Sequence, residues 1–275
     1  MGIIVNPNLL RSLLILGANI EARDPFTGGH VWRVAEYSKL LAEKAGMSGE
    51  DLFKAYISGY LHDIGKIAIP GSVLNKATSL TKDEFELIKT HTTIGREIIR
   101  AHPLSDLIKD VILHHHERID GLGYPDGIEG DNIDFITRIV SIADTFDAIT
   151  SVRPYKEKLP SEKAILLLNG QRDKRFDDKL ITILIDVVEM GETDFITGQS
   201  SNFRPMAECK NCGPVIEINL NKNDGDTVLC NVCESRYRIH ANGNIFDLEY
   251  LSDQNVFIKP EIDYIQIEKI IELSL

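Results

Sequence analysis

Imidazole and carboxylate side chains recur through the first half of this 275-residue chain, far apart in sequence and in a fixed order. His30 follows Phe26-Thr27-Gly28-Gly29, and His62-Asp63 opens a His-Asp-Ile-Gly-Lys run. His91 comes next, then His115-His116-Glu117 ahead of Asp120-Gly121-Leu122-Gly123-Tyr124-Pro125, and Asp144 comes last. Side chains of these two kinds, drawn from five segments, can hold a cluster of divalent metals, and clustered metals do phosphate-ester chemistry. The net charge of −12 argues against a general nucleic-acid surface, which needs many counterion-releasing Lys and Arg. A phosphate substrate would therefore be met by local positive charge, from metals and a few placed cations.

The elements that must position these residues read as helical up to about residue 190. Val31, Val34, Ala35, Ser38, Leu41, Ala42 and Ala45 repeat at helical spacing until Gly46. Ser48-Gly49-Glu50-Asp51 resembles a capping box ahead of the helix carrying His62, and Thr81-Lys82-Asp83-Glu84 is a better one, ahead of a helix ending near His91. Leu104, Ile108, Val111, Ile112 and His115 share one helical face, as do Ile136, Val140, Asp144 and Asp147. Ionisable residues on inward faces conflict with plain core packing, because a buried charge must be paired or bind metal.

Taken together, these segments resemble an HD-GYP domain, a branch of the HD phosphohydrolases, over about residues 19 to 180. The resemblance is carried by Arg23 to His30 with Arg33-Val34, by Leu61 to Pro70, by His91 and Gly95, by His115 to Pro125, by Asp144 to Thr150, and by Arg153-Pro154-Tyr155. It implies a mainly α fold, an HD-type helical bundle, holding two or three metals and hydrolysing cyclic di-GMP. Carried over position by position, His30, His62, Asp63 and Asp144 would hold one metal. Asp63 would bridge to a second, completed by His91, His115 and His116. Chemistry agrees, since a carboxylate can bridge two cations and a neutral imidazole cannot. A water held between two such metals ionises near neutral pH and would attack phosphorus in line. Lys66, one turn past His62, would neutralise charge developing on the phosphate, although a plain helix-end cation is the competing reading. Family members with three metals carry a glutamate four residues before the first histidine; Phe26 stands there, which favours two metals. Ile133-Asp134 stands where the family often has Ile-Pro, and only a local loop difference is expected. Mixed imidazole and carboxylate ligands suit iron, which the resemblance favours, or manganese.

Arg153 and Lys156 match family positions that contact the dinucleotide, as a fork and a point charge respectively. Gly121, Tyr124 and Pro125 belong to a loop that the resemblance ties to substrate choice, where glycines allow close backbone approach and Tyr124 offers a stacking face. The same loop could be only a tight surface turn. Docking of diguanylate cyclase (GGDEF) domains is a further family trait, and a homodimer is a further expected state. Asp147 is expected to orient a ligand, His114 to flank the ligand pair, and His102 and His240 to be satisfied polar residues. Arg33 and Arg118 stay open between ion pairs and phosphate contacts.

Residues 191–207 read as a linker, with Gly191, Gly198-Gln199-Ser200-Ser201-Asn202 and Pro205. Residues 208–250 then read as a small β-rich zinc ribbon domain. Cys209, Cys212, Cys230 and Cys233 form two Cys-x-x-Cys pairs with seventeen residues between them, a spacing suited to one structural zinc. Asn242-Gly243 is a turn signal between strands. Residues 251–275, rich in isoleucine and acid, leave strand and helix open. No apolar stretch is long enough to span a bilayer and no leader peptide is visible, so a cytoplasmic location with no membrane partner is expected. The expected activity is hydrolysis of cyclic di-GMP to linear pGpG, continuing to GMP. A mononucleotide phosphohydrolase and a catalytically silent cyclic-dinucleotide sensor are the alternatives.

Overall fold

Capping and apolar periodicity place most of the helices where the sequence puts them. The computed structural model describes residues 6–23, 29–76, 78–151, 159–198, 206–211, 215–218, 222–230, 233–242, 245–253, 267–268 and 271–272. Among these are α1 (Pro7–Arg23), α2 (His30–Lys44), α3 (Gly49–Leu61), α4 (Gly71–Leu74), α5 (Lys82–Lys89) and α6 (His91–Ile99). They continue with α7 (Lys109–His114), α8 (Phe135–Thr150), α9 (Ser161–Asn169) and α10 (Asp178–Glu189). A 3-10 turn, Ile64–Ala68, follows α3. No helix among the described residues is long and apolar enough to cross a membrane.

Helix α8 is apolar on most sides, so it must be buried on most sides. Ile136, Ile139, Val140, Ile142, Ala143, Phe146 and Ile149 are all buried, packed with α2, α9 and α10. A second apolar cluster joins α1 and α3 through Leu10, Leu13, Tyr60 and Leu61. Helix α2 serves both, with Trp32 and Val34 in the first cluster and Val31 and Ala35 in the second.

Local signals held unevenly. Thr81 closes the expected capping box: its backbone N–H donates to Glu84 Oε2 at 2.7 Å, and the Glu84 N–H donates to Thr81 Oγ1 at 3.2 Å. Ser48 sits at the N-cap of α3 but makes no side-chain cap hydrogen bond, so the capping box expected there does not form. The departure at Asp134 has a physical role. Its carboxylate caps α8, accepting from the N–H groups of Ile136 at 3.0 Å and Thr137 at 3.4 Å. Asp134→Ala should cost about 1 kcal/mol, read as a lower denaturant midpoint at unchanged slope.

The stretch expected as a linker is corrected in its first half. Residues 191–198 pack onto the bundle, with Ile196 buried in the core and the Tyr37 hydroxyl 2.8 Å from Thr197 Oγ1. Lys44 reaches Glu192 at 2.6 Å. One buried isoleucine outweighs a polar, glycine-rich composition.

Beyond it lie β1 (Met206–Glu208), β2 (Val215–Glu217), β3 (Thr227–Leu229), β4 (Ser235–Asn242) and β5 (Ile245–Asp253). β1 pairs antiparallel with β2, and β3-β4-β5 form a three-stranded antiparallel sheet. Asn242 pairs with Ile245, as a hairpin signal between those strands requires; Gly243 lies outside the described residues. Ile216, Ile218, Val228, Tyr237, Ile239 and Leu248 give these strands an apolar core of their own. The last described residues, 267–268 and 271–272, are helical. Ile267 and Ile271 are buried with α1, and Glu268 accepts a two-point ion pair from Arg11, each bond 2.9 Å.

Candidate metal centre

Each ligand candidate sits where a helix starts or ends, except Asp144, which is inside α8. His30 opens α2 behind Gly29, whose φ of 72° turns the chain into the helix. His62 ends α3, His91 opens α6, and His115 ends α7. Helix ends let consecutive residues diverge, so His62-Asp63 and His115-His116 each present two side chains to one centre.

The Asp63 carboxylate organises that centre. Its Oδ2 lies 3.2 Å from His62 Nε2 and 3.5 Å from His30 Nε2. Its Oδ1 lies 3.4 Å from His91 Nε2 and 4.0 Å from His115 Nε2. One carboxylate therefore turns one oxygen to each of two sets of imidazoles. Asp144 Oδ1 joins the first set, 3.5 Å from His30 Nε2 and 3.8 Å from His62 Nε2. His116 joins the second: the ligand nitrogens of His91, His115 and His116 lie within 4.8 Å of one another.

The outer ring nitrogens are held by other groups. The Nδ1 atoms lie 2.7 Å from Gly59 O for His62, 2.7 Å from Ile88 O for His91, and 3.1 Å from Ile112 O for His115. A carbonyl can only accept, so Nδ1 carries the proton and Nε2 faces the centre as a bare lone pair. His30 Nδ1 lies 2.7 Å from Asp147 Oδ2, and Asp147 is held in turn by Arg33 Nε at 2.5 Å. Buried Nε2 atoms of His30 and His62 have no hydrogen-bond partner. Buried, unpartnered imidazole nitrogens converging on two carboxylates fit divalent metal and fit little else.

Electrostatics point the same way. Burial, with His62 and His91 nearby, pushes His115 down to about 3, and burial pushes His116 well below the ordinary imidazole value. Both are neutral, as ligands must be. Burial opposes ionisation of Asp63, yet the Lys66 ammonium and His62 hold its carboxyl well below the usual range. Asp144 is held low by His62 and His30 against the same burial. Lys66 Nζ stands 2.5 Å from Asp63 Oδ2, so the lysine belongs to the centre rather than to a surface helix end.

Close backbone approach fixes the second set. A Cβ on Gly65 would fall 1.8 Å from the His91 carbonyl oxygen and 2.6 Å from Gly95 N. Gly65→Ala must push α6 away from the 3-10 turn after Asp63, taking His91 out of reach. We expect it to lose bound metal and to melt earlier, both measurable on one preparation.

Around the centre, the Tyr124 ring lies against His116, centroids 4.9 Å apart, while Pro125 is exposed. Gly121 adopts φ 72°, which the turn requires. Gly123 is pressed on its own chain, its Cβ position 2.4 Å from Glu117 Cα, so that glycine answers to packing and not to a ligand. His114 pairs with Asp126 at 2.8 Å, Arg118 with Asp120, and Arg33 with Asp147, which places both arginines in ion pairs. His102 contacts Ser12 and the Leu104 N–H, and His240 pairs with Glu249. Arg153, Lys156 and Phe26 lie outside the described residues. Sequence reasoning missed Glu117. It is buried, and its Oε1 accepts from the N–H groups of Asp126 at 2.7 Å and Gly127 at 3.0 Å, clasping the loop after the ligand pair. A carboxylate directly following two ligands was the available signal.

The sulfurs of Cys209, Cys230 and Cys233 gather within 4.8 Å of one another, with the Tyr237 hydroxyl 3.1 Å from Cys209 Sγ; Cys212 lies outside the described residues.

A profile of the HD domain family matches residues 16–180, which contain every imidazole and carboxylate of this centre. The chain belongs to the HD domain family. Its HD domain is 41% identical over 172 residues to the cyclic di-GMP phosphodiesterase response regulator RpfG of Xanthomonas campestris, covering 62% of this chain and 46% of that protein. It is 37% identical over 169 residues to 3′3′-cGAMP-specific phosphodiesterase 2 of Vibrio cholerae, covering 61% of this chain and 32% of that one. The chain thus spans half or less of the length of these curated relatives. The HD domain also shares its fold with a solved cyclic GMP-AMP specific phosphodiesterase of V. cholerae, at a TM-score of 0.52 and 20% identity, covering 66% of this chain and 49% of that one.

Proposed function

We propose that the chain is a metal-dependent phosphodiesterase that opens cyclic di-GMP to linear pGpG and continues to GMP. The observation carrying this reading is the divided Asp63 carboxylate, one oxygen toward His30 and His62 and the other toward His91 and His115. His30, His62, Asp63 and Asp144 would hold one divalent ion, and Asp63, His91, His115 and His116 a second, with iron favoured over manganese. When bound, the pair supplies Lewis-acid charge and makes water acidic enough to act as a nucleophile near neutral pH. The protein's own part is to keep His91, His115 and His116 neutral through burial, to orient the imidazoles through carbonyls and Asp147, and to keep the Asp63 and Asp144 carboxylates ionised. Lys66, beside Asp63, meets negative charge that grows on the phosphate as water adds across one P–O3′ bond. Arg153 and Lys156 hold the dinucleotide, and Gly121, Tyr124 and Pro125 form the loop beside it, Tyr124 offering its ring to a base. Relatives named for cyclic di-GMP and for 3′3′-cGAMP support a cyclic dinucleotide as the substrate class.

The test is purification without added metal, elemental analysis, and incubation with cyclic di-GMP, 3′3′-cGAMP and mononucleotides, products resolved by chromatography. Linear dinucleotide from cyclic di-GMP is expected. Tight binding of the intact dinucleotide without turnover would make the chain a sensor, and turnover of mononucleotides alone would overturn the substrate.

Cys209, Cys212, Cys230 and Cys233 form a structural zinc site in our reading, which holds a sheet too small to fold on its own apolar core. Cys230→Ser should release zinc and melt the sheet early while leaving most dinucleotide turnover. Loss of turnover as complete as that of an Asp63 variant would show that the sheet and the HD domain are one functional unit. A cytoplasmic enzyme with diguanylate cyclase (GGDEF) domains as partners, and a dimer of this chain, complete the proposal.

A further inference from the structure

We infer that Arg175 is a substrate-binding residue whose guanidinium meets a phosphate of the dinucleotide beside Asp144 and Tyr124; this rests on the function proposed above. The arginine lies in the turn between α9 and α10, and that turn is fastened on every side. The Asp120 N–H donates to the Lys174 carbonyl at 2.8 Å and the Ile119 N–H to the Arg175 carbonyl at 3.4 Å. Phe176 is buried in the core, and Asp177 caps α10 through the Leu180 N–H at 3.1 Å. The turn is thereby tied to the start of the loop that carries Tyr124.

The side chain has two contacts of its own. The guanidinium lies 5.1 Å from the centroid of the Phe176 ring, and Nη2 reaches Thr145 Oγ1, the residue after Asp144, at 3.4 Å. Asp120 pairs with Arg118 and Asp177 with Arg138 at 2.7 Å, while Glu117, which lines the same small cavity as Arg175, holds backbone amides through Oε1 and keeps Oε2 without a hydrogen-bond partner. Among the described residues, Arg175 makes only that one long side-chain hydrogen bond. Burial lowers its pKa, Asp144 and Tyr124 act to raise it, and the Arg118 guanidinium acts to lower it. A half-buried guanidinium with most of its fork not engaged by the described residues can take up an anion, and phosphate oxygens match the fork. A cyclic dinucleotide has two phosphates, and only one of them is at the reacting centre at a time.

Arg175→Met keeps the stem and removes the charge; Arg175→Lys keeps the charge and removes the fork. Both are compared with wild type, metal-replete, on cyclic di-GMP and on bis(p-nitrophenyl) phosphate, a diester with a single phosphate. We expect KM for cyclic di-GMP to rise about tenfold or more in Arg175→Met, as loss of one charged hydrogen-bonding partner predicts. The ratio of kcat/KM between the two substrates should fall by about the same factor, and Arg175→Lys should recover part of the loss. An unchanged KM, or an equal loss on both substrates, would overturn the assignment and leave Arg175 a turn-supporting residue. If wild type hydrolyses no cyclic dinucleotide, the function proposed above fails by itself. Calorimetric affinities then decide for Arg175: weaker binding of cyclic di-GMP by Arg175→Met supports the contact, and equal affinity removes it.

Discussion

On the function proposed above, Asp63→Ala should lower kcat by about a thousandfold or more and reduce the bound metal from two ions to one at most. The expectation follows from the geometry of one side chain, since no neighbouring group can replace a carboxylate with an oxygen toward each set of imidazoles. The loss of nucleophile activation and of charge at the phosphate accounts for the size of the effect. Its Lys66 partner would also be left beside the centre without the carboxylate it contacts at 2.5 Å. Asp63→Asn separates two contributions, because the amide keeps the shape and one acceptor oxygen but not the charge. It should retain the fold and still fail in turnover. Metal analysis beside steady-state kinetics checks both variants, and near-normal turnover with two ions bound would end the shared-carboxylate account.

Asp147→Ala should cost about 3–5 kcal/mol of stability, the usual penalty for removing one partner of a buried ion pair. Asp147 and Arg33 are both buried, and Arg33 donates to Asp147 from Nε and Nη2 at 2.5 and 3.1 Å. Burial favours the neutral acid, but the Arg33 guanidinium and His30 hold the Asp147 carboxyl below the ordinary range, so the pair is charged. Truncation removes the carboxylate that Arg33 Nε and Nη2 both contact, at a place closed to solvent. For a domain of this size the melting midpoint should drop by roughly ten degrees. Activity should fall as well, because His30 loses the acceptor that fixes its tautomer, with metal affinity weakened roughly ten- to a hundredfold. Arg33→Met with Asp147→Asn, both charges removed together, should recover much of the melting temperature and little of the metal affinity. Recovery of both would mean that Asp147 supports the fold alone.

The candidate ligands were legible from the sequence because a metal centre restricts side-chain type. Imidazoles and carboxylates at 30, 62, 63, 91, 115, 116 and 144 stand out against helical apolar stripes, since an ionisable group on an inward face must be paired or bind metal. Helix positions were legible for a related reason: stripes and caps are made by contacts within a few residues, as at Thr81 with Glu84. Where the cap is optional, as at Ser48, the local signal misled. Composition misled at 191–198, where the burial of Ile196 overrides a glycine-rich, polar stretch.

By itself, then, the sequence determined the candidate ligand types, their order, the helical class and a cysteine-bearing β segment, all properties of residue identity and short-range periodicity. The tertiary structure alone decided that Asp63 divides its two oxygens between imidazole sets and that Asp147 and Arg33 pair beneath His30. It also decided that Glu117 clasps the following loop, that Arg175 reaches Thr145, the residue after Asp144, and that Ile267 and Ile271 return to α1. Those facts depend on which faces of distant helices pack together. Packing is set by the burial of apolar surface over the whole chain, and no local window of residues contains it.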